Sequence, residues 1–134
     1  YGGRSRYIYT GTNAGFLEAI EAGAWDPSAT PPKYTVGTGV ERFGFMPWQA
    51  RAQIKNFPID DPSKRTNYVD GSPQAADVWI YPTATTDAKD ASGSEWRSML
   101  VTGMRLGGRE YFGLDITNPD GTAGPGGSQR RPGS

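Results

Sequence analysis

The chain has 134 residues, of which 19 are glycine, 11 are proline and 12 % are aromatic. Coiled coils and helical bundles avoid Gly and Pro, so this composition argues against both and favours many short strands joined by turns. The 14 basic and 14 acidic side chains balance, which leaves no basic field for a nucleic-acid backbone. Cysteine and histidine are absent, and this excludes disulfides, thiolate or His-ligated metal sites and a Ser-His-Asp triad within the chain.

Two further classes are not expected. The apolar runs are short, so neither a membrane-spanning segment nor the apolar region of a signal peptide is predicted. Without His or Cys to act as base or nucleophile, a self-contained enzyme is not expected either.

In chain order the sequence predicts seven short strands or extended pieces and one helix. The first two strands flank Gly11–Gly15, whose Gly and Asn residues tolerate the positive φ angles of a hairpin turn. A helix is predicted from Trp48 to Phe57, where apolar residues recur at helical spacing between Pro47 and Pro58. The strands are predicted at Arg6–Thr10, Phe16–Glu21, Val40–Met46, a short extended piece at Tyr68–Pro73, Ala75–Tyr81, Trp96–Thr102 and Glu110–Thr117.

The connections are rich in Gly, Pro, Ser and Thr and are predicted as loops or turns of uneven length. Thr122–Ser134 carries no large apolar side chain and is expected to be a flexible loop or tail. This divides the chain into a partial β-domain at 1–121 and a flexible segment at 122–134. The other predicted loops and turns are Ala24–Gly39, Asp60–Thr66, Pro82–Glu95, Gly103–Arg109 and Asn118–Gly121.

The strand pattern predicts an antiparallel all-β fold, because no strand-helix-strand alternation indicates a parallel sheet. A sandwich, a barrel and propeller blades all fit this pattern. A glycine-rich turn followed by an aromatic and aliphatic strand occurs twice, at Gly11–Ile20 and at Gly103–Ile116. A repeat of this kind is typical of propeller blades.

Three blocks of the sequence resemble, in order, the β-propeller domain of PilY-type proteins, which are type IV pilus biogenesis factors and tip-associated adhesins. The family pattern runs close to V-G-A-N-D-G-M-L-H-A-F-D-A, then Y-x-V-D-G-S-P, then W-R-T-x-L-V-G-G followed by G-G-x-x-Y-x-A-L-D-V-T-D-P. The matching blocks are Tyr9–Ala19, Tyr68–Pro73, and Trp96–Gly103 with Gly107–Pro119. The resemblance implies about two antiparallel blades of a larger propeller, with the short helix inserted.

The resemblance also implies a function. It predicts a non-catalytic structural and adhesive segment of a pilus tip or pilus biogenesis protein, located outside the cytoplasm at the bacterial cell surface. A propeller closes with four to eight blades, so the expected partners include the remaining blades, from the same polypeptide or from other chains. Minor pilins, pilus tip proteins and a host or surface ligand are the other expected partners. Two alternatives stay open, namely part of a quinone-dependent dehydrogenase propeller and a generic scaffold propeller of the cell envelope.

No catalytic, cofactor-binding or metal-ligating residue is assigned. The resemblance implies a possible calcium loop of the D-x-D-x-D-G type further along a full-length protein, and no such run exists in this sequence. Asp70–Pro73 reads as a ligand loop or, preferably, as a turn in which Asp70 caps backbone N–H groups. Asp77 and Asp115 are expected to hydrogen-bond a turn or a neighbouring blade rather than a metal. Four tryptophans are expected to pack between blades rather than form a sugar-stacking surface. They are Trp25, Trp48, Trp79 and Trp96.

Overall fold

The computed structural model describes residues 4–54, 67–80 and 95–119. Within these ranges the chain forms antiparallel β-sheets with one short α-helix, as predicted. The elements are β1 (Arg6–Gly11), β2 (Leu17–Gly23), β3 (Trp25–Asp26), β4 (Lys33–Tyr34), β5 (Glu41–Phe45), α1 (Trp48–Gln53), β6 (Gln74–Trp79), β7 (Trp96–Gly103), a 3-10 turn (Arg105–Gly107) and β8 (Tyr111–Asp115). The predictions for Asp60–Thr66 and Thr122–Ser134, and most of that for Pro82–Glu95, lie outside the described residues.

The first sheet has the strand order β1-β2-β5. Its first two strands form the predicted hairpin, in which Gly11 lies opposite Leu17. Gly15 closes the turn with a φ of 91°, which glycine adopts without strain. Burial alternates along β2, and Leu17 and Ala19 are fully buried on one face. That period of two is the pattern of a strand with one covered face, so the strand prediction for this segment is confirmed.

The Ala24–Gly39 excursion was predicted as a loop, but it contains a small ribbon of β3 and β4. Trp25 lies opposite Tyr34, and their rings pack edge to face with centroids 5.1 Å apart. The Thr35 N–H donates to the Ala24 carbonyl at 2.9 Å. Cross-strand aromatic pairs stabilise short ladders. The loop prediction is wrong at these positions because two-residue strands have no readable periodicity.

The second sheet has the strand order β6-β7-β8. Gln74 on β6 lies opposite Val101 on β7, which in turn lies opposite Gly113 on β8. The three strands predicted here are confirmed, with small shifts at their ends. The glycine-rich connection between β7 and β8 contains the 3-10 turn, closed by the Gly107 N–H donating to the Met104 carbonyl at 2.8 Å.

The two sheets share one apolar core. Leu17 of β2 and Leu100 of β7 are its fully buried centre, together with Val69 from the segment that precedes β6. Phe43 and Phe112 pack against this cluster from the first and the second sheet. The inner faces of both sheets therefore cover each other.

A second buried cluster attaches the helix. Ala50 of α1 packs with Tyr68 and Met104, and Phe112 contacts this cluster as well as the first. The helix begins after Pro47, as predicted, and positions 55–57 of the predicted range lie outside the described residues. The helix thus covers the end of the core at the connection between β7 and β8.

Leu100→Ala is expected to lower the free energy of unfolding by about 2–5 kcal/mol, because it leaves a cavity between the two sheets. Leu106→Ala is the matched control, since Leu106 in the 3-10 turn is 72 % exposed. Urea unfolding followed by tryptophan fluorescence measures both variants. Equal losses for Leu100→Ala and Leu106→Ala would contradict the packing described.

Candidate functional site

Residues 67–73, the crossing segment, contact both sheets. Tyr68 and Val69 are almost completely buried, and each belongs to one of the two buried clusters. The Asp70 N–H donates to the Met104 carbonyl at 3.4 Å. This segment carries the Y-x-V-D-G-S-P block, so the block lies where the two sheets meet.

Glycines allow the crossing segment to approach the backbone of both sheets. At three glycines that lie in or against this segment, an added Cβ atom would overlap a carbonyl oxygen of the facing backbone. The pairs are Gly11 with Val69, Gly71 with Gly103, and Gly107 with Tyr68. Two backbones this close leave no space for a side chain, so only glycine fits. The sequence showed these glycines as turn residues, and their contact role depends on neighbours that are distant in the chain.

An open groove of about 540 Å³ lies between the end of β1 and the crossing segment. Asp70 lines this groove, together with Asn13 and Ser72. Its carboxylate Oδ2 lies 3.9 Å from Nη1 of Arg105. Among the described residues Asp70 makes this ion pair with the 3-10 turn instead of the expected cap on its own turn. In the described part of the chain no buried side-chain nitrogen or oxygen lacks a hydrogen-bond partner.

Asp77 and Asp115 hydrogen-bond neighbouring groups, as predicted. Asp77 on β6 accepts from Arg4 Nη1 at 3.1 Å and from the Ser98 hydroxyl. Asp115 accepts from the Thr117 N–H at 2.9 Å and from its hydroxyl at 2.6 Å, which caps the turn after β8. Among the described residues no three His, Cys, Asp or Glu side chains gather into a metal site.

Trp48 does not pack between blades as predicted, and the other three tryptophans lie outside the two buried clusters of the described residues. Trp25 pairs with Tyr34 in the ribbon, and Trp48 on α1 is 72 % exposed. Trp79 and Trp96 lie opposite each other at the end of the second sheet, both half-buried. There the Trp79 indole N–H donates to the buried Glu95 carboxylate at 2.5 Å. The core uses Leu, Val, Phe and Tyr instead, so large aromatic size alone did not identify core positions.

Glu21 is a buried acid that the sequence did not single out. It lies at the end of the inner face of β2 and accepts a hydrogen bond from the Thr38 hydroxyl. That bond lowers the pKa of the Glu21 carboxyl, burial opposes the shift, and the Arg42 guanidinium at 3.7 Å assists it. The Gly39 N–H also donates to the Glu21 carbonyl at 3.2 Å. Glu21 therefore attaches the end of the excursion to the first sheet.

Among the titratable side chains that line the groove, Tyr9 has a clearly shifted pKa. Burial raises the pKa of its phenol to about 12, and the nearby Tyr7 adds to the rise. The phenol therefore stays protonated at neutral pH. It packs against Phe43 in the core, with ring centroids 6.3 Å apart, and acts there as an apolar ring with a polar tip.

Known proteins similar to this chain are described as type IV pilus biogenesis factors. A PilY1 homolog of Xylella fastidiosa with that description is 32 % identical over 112 residues, which are 84 % of this chain and 7 % of that protein. A second X. fastidiosa PilY1 homolog is 29 % identical over 115 residues, or 86 % of this chain and 6 % of its own length. PilY1 of Pseudomonas aeruginosa is 25 % identical over 118 residues, or 87 % of this chain and 8 % of its own length. No family model and no solved structure matches the chain.

The chain is thus homologous to a segment of PilY1-type proteins, which confirms the resemblance read from its three sequence blocks. It spans 6–8 % of the length of these relatives. A helix long and apolar enough to cross a membrane does not occur among the described residues.

Gly71→Ala is expected to lower the free energy of unfolding by about 1–3 kcal/mol, because the added methyl group overlaps the Gly103 carbonyl and displaces β7. Gly113→Ala is the control, since a Cβ atom there lies 3.6 Å from its nearest neighbour, the Leu100 carbonyl oxygen. Urea midpoints measure the difference. If both variants unfold at the same urea concentration, the crossing segment does not require close backbone contact.

Thr38→Val is expected to lower the melting temperature at neutral pH and to lose this effect in acid. The lowered pKa of Glu21 means that its ionised form stabilises the fold above the ordinary pKa of glutamate. That contribution disappears as the pH falls through the lowered value, because the protonated carboxyl no longer prefers the folded state. Melting curves from pH 7 to pH 3 measure this convergence, and a difference independent of pH would refute the assignment.

Proposed function

We propose that the chain is a non-catalytic structural segment of a PilY1-type pilus factor, built as two blades of a β-propeller. We propose further that it acts in pilus assembly and surface attachment at the bacterial cell surface. The observation that carries this proposal is the homology to PilY1 and its homologs over more than four fifths of the chain. The fold supports it through an internal repeat.

The repeat is the pair of hairpins β1–β2 and β7–β8. Both begin with a strand that ends in Thr-Gly, and both threonine hydroxyls lie 3.4 Å from the carbonyl of the following glycine, Gly11 or Gly103. In both hairpins that glycine lies opposite the first residue of the returning strand, Leu17 or Tyr111. The two sheets are therefore built on the same unit.

The third strand of each sheet extends this unit on a different side. In the first sheet β5 follows the hairpin and pairs with its second strand, whereas in the second sheet β6 precedes the hairpin and pairs with its first strand. Aligning the hairpins combines these into a four-stranded antiparallel unit. Four-stranded sheets repeated around an axis are the blades of a propeller.

The polar side chains support a role in packing and display. Asp70, Asp77 and Asp115 contact side chains or turns of the chain itself. The expected partners are accordingly the remaining blades, minor pilins or other pilus tip proteins, and a surface ligand. Calcium, if the full-length protein uses it, is proposed to bind outside this segment.

Phe112→Ala in the full-length polypeptide tests the proposed function. Phe112 contacts both buried clusters, and its ring lies 5.4 Å from that of Phe45, so its loss is expected to cost about 3–5 kcal/mol. Protein abundance, surface pili and attachment should fall together. Val36→Ala is the control, because Val36 is 95 % exposed and should leave all three unchanged.

Asp70→Ala tests, in the same assay, whether the segment acts through an acid-dependent ligand site or only through its packing. It removes an ion pair with an exposed arginine, which is worth little, so abundance, pili and attachment should all persist. Loss of attachment at normal abundance would replace the structural role with an acid-dependent ligand site. Normal pili in a strain whose Phe112→Ala protein has disappeared would remove the role in pilus assembly.

A further inference from the structure

The aligned hairpins show which faces of the two sheets correspond. Gly11 and Leu17 form the pair at the turn of the first hairpin, as Gly103 and Tyr111 do in the second. Side chains of a strand alternate between faces, and directly opposed residues share a face. The next pair on that same face is Tyr9 with Ala19 in the first sheet and Val101 with Gly113 in the second.

In the first sheet this face is completely covered. Leu17 and Ala19 have no exposed surface, and Tyr9 packs into the core. The cover is the second sheet together with the crossing segment, whose Val69 carbonyl lies directly over Gly11.

In the second sheet the corresponding face has no cover among the described residues. Tyr111 is 82 % exposed and Val101 is 49 % exposed, although they occupy the positions of Leu17 and Tyr9. Gly113, which takes the place of Ala19, is exposed as well. Tyr111, Val101 and the two glycines thus form an exposed apolar surface on the outer side of β7 and β8, flanked on the same face by Gln74 and Asp115.

The two sheets contact each other through faces that are not equivalent. The second sheet covers the first with Leu100, Phe112 and Leu114, which lie on its other face. The contact therefore joins the Leu17 face of the first sheet to the Leu100 face of the second sheet. These two faces do not correspond to each other when the hairpins are aligned. A contact of this kind joins unlike surfaces, so it can be repeated in the same sense from sheet to sheet.

We infer that the outer face of the second sheet, formed by Val101, Gly103, Tyr111 and Gly113, is the docking surface for a third β-sheet of the same construction. The inference rests on the proposed function, because the third sheet is taken to come from the same longer polypeptide. A sheet of the same polypeptide is preferred to a second copy of the chain because the chain spans only 6–8 % of the length of its relatives. The rest of that length is long enough to supply a third sheet. The third sheet is expected to present an apolar face like that of Leu100 and Phe112.

Thiol labelling of the full-length polypeptide tests the docking surface. The 134-residue segment contains no cysteine, so a single introduced thiol reports one position in it, with any thiols elsewhere replaced beforehand. Tyr111→Cys is expected to react with a maleimide at least about tenfold more slowly than Val36→Cys in the native protein, because it reacts only after local opening. Both should react equally fast in urea. Gly113→Cys is the second variant, since a Cβ atom there makes only ordinary contacts.

The outcomes are distinct. Protection of Tyr111→Cys or Gly113→Cys that persists on dilution supports a sheet of the same polypeptide. Protection lost on dilution assigns the face to a second copy and overturns the inference. Labelling of both variants as fast as Val36→Cys also overturns it, and if those strains still assemble pili and attach, the proposed function stands without the docking surface.

Discussion

Direct contact between backbones, at positions where only glycine fits, holds this structure together. The crossing segment places its carbonyl groups against Gly11 and Gly107, and its own Gly71 lies against β7. Because the backbones are this close, the neighbouring side chains Tyr68 and Val69 reach both buried clusters at once. The sheets, the helix and the 3-10 turn all pack against this segment. A side chain at any of the three glycines would separate elements that otherwise share a core.

The features that sequence reasoning predicted well are local. The β1–β2 and β7–β8 hairpins are specified within short stretches by turn residues and by strand composition, so both were identified with nearly correct ends. The ribbon of β3 and β4 was missed because one aromatic pair stabilises it without a repeating pattern. The burial of Glu21 was missed for a related reason, since its partner Thr38 returns to β2 only after the whole excursion. Contacts between distant segments carry no signal in a window of a few residues.

At the candidate site, too, contacts between residues close in sequence could be predicted, and contacts between distant segments could not. Asp115 could be predicted to cap a turn because its partner Thr117 is two residues away. Asp77 was expected to bind a turn or a neighbouring blade, and it binds Ser98 on the adjacent strand of its own sheet as well as Arg4. The ion pair of Asp70 with Arg105 could not be predicted, since it depends on how the crossing segment meets the 3-10 turn. The tryptophans failed as core markers because the sheets approach through glycine and medium-sized side chains, which leaves the indole rings at the margins. Homology and the internal repeat are therefore stronger evidence for the proposed function than any single residue.

The order of the elements along the chain has a consequence for biosynthesis. Leu17 belongs to the first hairpin, but the side chain that covers it, Leu100, lies 83 positions later, as 100 minus 17 shows. At roughly 5–20 residues per second of translation, that interval lasts on the order of 4–17 s. During this time the inner face of β2 is exposed, and an exposed apolar strand is a site for aggregation. The nascent first sheet therefore needs either fast synthesis of the second sheet or a chaperone that shields β2 until the crossing segment and β7 arrive.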